Sequence, residues 1–141
     1  AGCARPLVFT NGVFDLLHRG HVTYLAEARA LGASLLVAVN SDASVRRLGK
    51  GEDRPINRCE DRMAVLAALA CVDWVTWFDE DTPLAPILAT RPDVLVKGAD
   101  YGRAQIVGAD FVEARGGRVV RVQLVPDQST SRLVESLRAS P

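Results

Sequence analysis

The chain has 141 residues, 48% of them hydrophobic, enough for one domain with its own core over 1–141. Lys plus Arg number 17 and Asp plus Glu number 17, so the formal charge is zero. That balance argues against a general nucleic-acid or membrane surface, and it makes any anion site local, built from a few residues.

The opening AGCARP lacks the long apolar region of a signal peptide and lacks an initiator Met, leaving room for residues upstream. Cys3, Cys59 and Cys71 are odd in number and widely spaced, with no CxxC. They support neither a disulfide framework nor a zinc site, and reduced cytoplasmic thiols are expected. No apolar run reaches the roughly 18 residues of a membrane span.

The first strand candidate is PLVFT (6–10), ending in Thr10, Asn11 and Gly12. HVTYLAEARALG (21–32) follows as a helix with Val22, Leu25, Ala28 and Leu31 on one side and Gly32 as a stop. SLLVAVN (34–40) is the second strand. LGKGEDRP (48–55), bearing glycine and charge and ending in proline, is the candidate mobile loop. Asn57 then precedes CEDRMAVLAALACV, with Glu60 placed to complete a capping box.

DWVTWF (73–78) is the third strand, and Thr82-Pro83 opens the helix TPLAPILATR with Pro at its first position. DVLVKG (93–98) and GRVVRVQL (117–124) are the remaining strands, and STSRLVESLRA is the last helix. The first, second and fourth strands are Val/Leu-rich without polar alternation, as strands buried on both faces of a parallel sheet are. Strands alternating with helices predict right-handed βαβ crossovers. The expected class is α/β, a Rossmann-like three-layer α/β/α domain on a five-stranded parallel sheet.

In such a sheet ligands collect at the carboxyl ends of strands, near the switch of strand order. FTNGVFDLLHRGHVTYL (9–25) begins at such an end and holds both histidines of the chain, His18 and His21. A helix N-terminus there offers free N–H groups and a positive dipole. Gly20 opens the backbone to an anion, and the two imidazoles bracketing it donate to that anion. This suits phosphate charge stabilisation. A two-ligand zinc site is the weaker alternative, because no third ligand is obviously placed.

TNGVFDLLHRGHVTYL, NSDASVRRLGKGEDRPIN, EDRM, VKGADY and QSTSRL together resemble the HxGH nucleotidyltransferase superfamily, in its cytidylyltransferase-like branch. AVNSDASVRRL, RPIN, VDWV and LVKGADY narrow the likeness to the enzymes that adenylylate D-glycero-β-D-manno-heptose 1-phosphate for lipopolysaccharide core precursors. These occur behind a sugar-kinase domain or free-standing, and 141 residues resemble the free-standing form. The resemblance implies attack by a sugar 1-phosphate oxygen on the α-phosphorus of ATP, assisted by Mg²⁺ with no dedicated metal ligands. It also implies a homodimer or higher homo-oligomer. An alcohol-phosphate cytidylyltransferase and a non-catalytic nucleotide-binding module are the alternatives.

On this reading His18 and His21 stabilise the reacting phosphate, and the backbone of Thr10, Asn11 and Gly12 cradles phosphate oxygens beside Phe14. Asp15 holds sugar hydroxyls or serves as a helix-entry acid; Asp42 caps a helix, touches sugar, or both. Lys50 reaches the triphosphate, while Arg46, Arg47 and Arg54 are mainly surface. Arg62 lies in a first helical turn, where the dipole disfavours a cation, so it is expected to meet a phosphate. Lys97, Gly98, Asp100 and Tyr101 are expected near nucleoside or sugar. Ser129, Thr130 and Ser131, where the family usually shows STT, form a second anion cradle. Trp74 and Trp77 cannot share one face of a strand, which puts one at a subunit contact or an edge.

Overall fold

The computed structural model describes residues 3–49, 54–99 and 106–123. Its elements run β1 (Leu7–Gly12), α1 (Arg19–Arg29), β2 (Ser34–Asn40), α2 (Asp42–Arg47), α3 (Cys59–Ala67), β3 (Trp74–Phe78), α4 (Leu84–Thr90), β4 (Val94–Gly98), α5 (Ala109–Ala114) and β5 (Arg118–Val122). All pairings are parallel, in the order β3-β2-β1-β4-β5.

That order explains the composition of the strands. β1 is the middle strand, flanked by β2, whose seven residues are all buried, and by β4, and all three carry near-continuous apolar runs. The edge strands β3 and β5 each keep two exposed residues. Alternate side chains build two cores. Val8, Leu35, Val37 and Val39 pack with Tyr24, Leu25 and Ala28 of α1 and Leu66 of α3. Leu7, Phe9, Leu36 and Ala38 pack on the opposite face with Ile87 of α4 and Ala109 and Val112 of α5. The result is the Rossmann-like three-layer fold. Each fully buried Leu or Val contributes about 1.5–3 kcal/mol. An exposed ion pair such as Arg5–Asp93 contributes about 0–1 kcal/mol, so the two cores dominate.

Several element ends differ from the sequence reading. β1 continues through Gly12, and α1 starts at Arg19, ahead of the expected His21. Pro83 sits at the cap of α4, one position before the helix begins. α3 is capped at Arg58 with no local side-chain bond, so the capping box on Asn57 does not form. Instead Asp42, 17 residues earlier, accepts from Cys59 N–H at 2.9 Å. The cap reading of Asp42 implied a helix there, found as the six-residue α2, whereas the six-residue α5 has no counterpart in the sequence reading because it spans too few turns for a periodic signal. Ser41, rather than Asp42, caps α2 by accepting from Ser44 N–H at 3.1 Å.

Gly117 marks a close approach between α5 and the start of β5. A Cβ there would stand 2.5 Å from Asp93 O and 2.7 Å from Val112 Cγ1. Gly117→Ala is therefore expected to destabilise the protein by about 1–3 kcal/mol. Urea unfolding checks this, with a lower midpoint at unchanged slope as the expected result.

Cys3, Cys59 and Cys71 are free and half-buried. Trp74 and Trp77 of the edge strand are 45% and 55% exposed. Among the described residues, no helix is long and apolar enough to cross a membrane.

Candidate active site

The chain reverses strand order across β1, which has β2 on one side and β4 on the other. The loop leaving β1 is thus the expected ligand position. Thr10 is fully buried; its hydroxyl bonds Tyr24 Oη at 2.9 Å and donates to Val96 O at 3.0 Å. That hydroxyl ties β1 to α1 and β4 and is not aimed at a ligand. Gly12 is tight, since a Cβ there would lie 2.9 Å from the Phe14 ring.

His18 is the N-cap of α1, and its Nδ1 accepts from Gly20 N–H at 3.1 Å. An accepting Nδ1 carries no proton, so in the neutral ring the proton sits on Nε2. The cap therefore fixes the tautomer. The His21 ring stacks on His18 with centroids 3.9 Å apart and planes 24° apart. Phe14 meets His21 edge-on at 5.4 Å. Asn11 Oδ1, His18 Nε2 and His21 Nδ1 are buried and have no partner. They are the three such side-chain atoms among the described residues, and all belong to residues 11–21. Leaving a buried polar group unpaired costs about 1–3 kcal/mol. A fold that retains three at one strand end and the following helix start is built for a polar ligand.

Burial lowers the pKa of His18. Burial, then the charge of His18, lowers His21 from 6.5 to about 4, against a smaller upward pull from the Leu16 backbone. Two stacked rings cannot both hold a charge without a counter-anion. At neutral pH they are neutral hydrogen-bonding groups, and an arriving anion raises both pKa values. The depressed His21 pKa means that the unfolded chain binds the extra proton first. The His21 contribution to stability is therefore expected to fall as pH drops from about 6.5 to about 4, and that contribution then levels off. An NMR titration of the imidazole carbons checks this: His21 should titrate near pH 4 and His18 below 6.5.

Asp15 is 2% exposed. Its carboxylate accepts from Arg54 Nε at 2.8 Å, Ile56 N–H at 2.7 Å and Asn57 N–H at 2.8 Å. Its carbonyl accepts from Asn57 Nδ2 at 2.7 Å. Asp15, for which sugar binding or helix entry is expected from the sequence, is here a clamp on residues 54–57. Arg54, read as surface, is 3% exposed. Sequence reasoning missed it because its partner lies 39 residues away and no local pattern joins the two.

Arg62 is likewise turned inward, with its side chain fully buried. It donates to Asn57 O at 3.0 Å, Val13 O at 2.9 Å and Asp42 Oδ1 at 2.9 Å. The anion this cation meets is Asp42, not an open phosphate site, and Asp42 is correspondingly occupied. Arg47 behaves as expected, pairing with Asp81 at 2.6 Å on the surface and donating to Asp79 O. Gly20 is buried at the start of α1. Lys97 and Gly98 end β4, with Gly98 buried in register with Val122. Lys50, Asp100, Tyr101, Ser129, Thr130 and Ser131 lie outside the described residues, as do the last helix and part of the loop 48–55.

Phe14 has φ +50. For a non-glycine residue that conformation costs about 1–3 kcal/mol and persists only when neighbours over-determine it. Here Arg62 holds Val13 on one side and residues 54–57 hold Asp15 on the other. The site thus consists of a strained loop, two stacked neutral imidazoles with free nitrogens, and a helix N-terminus. Such a set can receive and stabilise a phosphate; it has no nucleophile among the groups described.

Comparison with known proteins agrees with this chemistry. A family model described as cytidylyltransferase-like matches residues 9–136. The chain is 58% identical over 134 residues to the D-beta-D-heptose 1-phosphate adenylyltransferase of Bordetella bronchiseptica, covering 95% of this chain and 83% of that protein. It is 60% identical over 135 residues to the bifunctional protein HldE of Azotobacter vinelandii, covering 96% of this chain but 28% of that one. Among solved structures it resembles a lipopolysaccharide core biosynthesis protein from Thermoplasma volcanium. That match has a TM-score of 0.73 and 30% identity, and covers 84% of this chain and 97% of that one.

Proposed function

The chain belongs to the cytidylyltransferase-like family, and from that premise we propose that it moves AMP from ATP to D-glycero-β-D-manno-heptose 1-phosphate. The products are ADP-heptose, for lipopolysaccharide core biosynthesis, and pyrophosphate. The 58% identity to a heptose 1-phosphate adenylyltransferase supports the substrate assignment. The observation that carries the chemistry is the stacked pair His18 and His21, each with a buried nitrogen lacking a partner.

A sugar phosphate oxygen attacks the α-phosphorus in line, the new P–O bond forms, and the bond to the pyrophosphate oxygen breaks. No side chain is covalently modified, so the protein contributes positioning and charge stabilisation. His18 Nε2–H, its tautomer fixed by the cap on Gly20, donates to the α-phosphate as negative charge develops. His21 lies beside it, and the anion raises its pKa enough for it to share a proton with the phosphate. The dipole of the 11-residue α1 adds to both.

Mg²⁺ is proposed to accompany ATP. Among the described residues no group of three or more His, Cys, Asp or Glu could hold a metal ion, and Asp15 and Asp42 are committed to arginines. The described donors therefore do not form a protein cage, and no step here passes through a metal. We further assign triphosphate contact to Lys50 and to Ser129, Thr130 and Ser131, and nucleoside or sugar contact to Lys97, Gly98, Asp100 and Tyr101. A homodimer with one tryptophan of β3 at the contact, and a cytoplasmic location, complete the reading.

A panel of sugar and alcohol phosphates against four nucleoside triphosphates tests the assignment by pyrophosphate release. Heptose 1-phosphate with ATP is expected to give the highest kcat/KM. Preference for CTP with an alcohol phosphate would replace the assignment, and ATP binding without turnover on any acceptor would refute it.

A further inference from the structure

The three residues between the end of β1 and the approach to the histidines are held from two directions. Arg62 Nη1 donates to Val13 O at 2.9 Å. Asp15 is gripped by Arg54, Ile56 and Asn57, and the Arg54–Asp15 side chains are 2% and 0% exposed. Between these clamps Phe14 takes φ +50 and presents its ring edge to His21, with an interplanar angle of 66°. The clamp, the strained residue and the imidazole form one continuous chain of contacts.

From this juxtaposition we propose that Arg54 is a positioning residue for the transfer reaction, fixing Phe14 through Asp15 and the His21 imidazole through Phe14. The assignment rests on reading the histidine pair as the nucleotidyl-transfer centre. Arg54 acts through its neighbours. A planar guanidinium suits the task because it donates along a fixed direction from Nε, while a lysine offers only a rotating point charge. Directional hold matters, because a misplacement of about 1 Å at the reacting centre can cost about 10²-fold in rate. The bulk of the pair matters less than its geometry, which makes the proposal separable from a plain stability role.

The test uses the whole chain with Arg54→Gln, Arg54→Lys and Phe14→Leu, reading kcat and KM with ATP and heptose 1-phosphate. It also reads the ¹H–¹⁵N imidazole signals of ligand-free protein. Arg54→Gln is expected to lower kcat about 10–100-fold with each KM changed by less than about threefold. Arg54→Lys should recover only part of that loss. Phe14→Leu should repeat the loss in kcat with the Arg54–Asp15 pair intact, and the His21 signals should shift in every variant. Wild-type kcat in folded Arg54→Gln, a loss confined to KM, or unmoved His21 signals would overturn the proposal. If Arg54→Gln does not fold, Phe14→Leu decides alone, and unchanged kcat with unmoved signals refutes it. A wild-type protein that transfers no nucleotide would instead sink the functional reading, with the His21 spectra still testing the positioning claim.

Discussion

Replacing His18 or His21 with alanine is expected to lower kcat by about 10²–10³-fold, or about 2.7–4 kcal/mol, the cost of one preorganised donor to a developing charge. ATP affinity should change far less, because the helix dipole and backbone N–H groups at the start of α1 remain. The two substitutions are not equivalent in stability. His18→Ala also removes the cap on Gly20 N–H, worth about 0.5–2 kcal/mol. His18→Asn separates the two effects, since asparagine caps a helix yet does not put a donor where Nε2 stands. It should restore the melting temperature without restoring turnover. The double alanine variant should be little worse than either single one, because groups acting together on one phosphate are not additive. Near-normal kcat in both single variants would remove the assigned role.

Arg62→Met is expected to destabilise the fold by about 3–5 kcal/mol, the cost of breaking a buried ion pair by removing one partner. Methionine fills much of the space but donates nothing. Val13 O, Asn57 O and Asp42 Oδ1, on three segments, would each lose the guanidinium bond, Asp42 Oδ1 keeping only its bond from Cys59 N–H. At about 2–4 °C per kcal/mol for a chain of this size, the melting temperature should drop by about 6–20 °C. A chemical denaturation curve with an unchanged midpoint would show that this guanidinium is not the strut described. The same variant should lose less in KM for ATP than a true phosphate ligand would, since the described bonds of Arg62 go to protein atoms.

What the sequence made legible was whatever its chemistry expresses locally. β1, β2 and β4 read as buried parallel strands because their side chains are covered on both faces. The histidine pair was readable because the cap, the glycine and both rings fall within four consecutive residues at the end of a strand and loop. Long-range partnerships were not. The macrodipole argument correctly required an anion for Arg62, but could not say that Asp42, 20 residues earlier, supplies it. Asn57 looked like a cap from its spacing to Glu60, yet its amide and backbone N–H were already engaged by Asp15. Arg54 sat in a charged, glycine-bearing segment that reads as solvated, and only the fold brings it to a buried carboxylate.

A structure with a non-hydrolysable ATP analogue bound tests the central claim most directly. An α-phosphate oxygen within about 2.7–3.2 Å of His18 Nε2, with a second contact to a nitrogen of His21, is the predicted result. An α-phosphate seated away from the two stacked rings, leaving both buried nitrogens still unpaired, would contradict it.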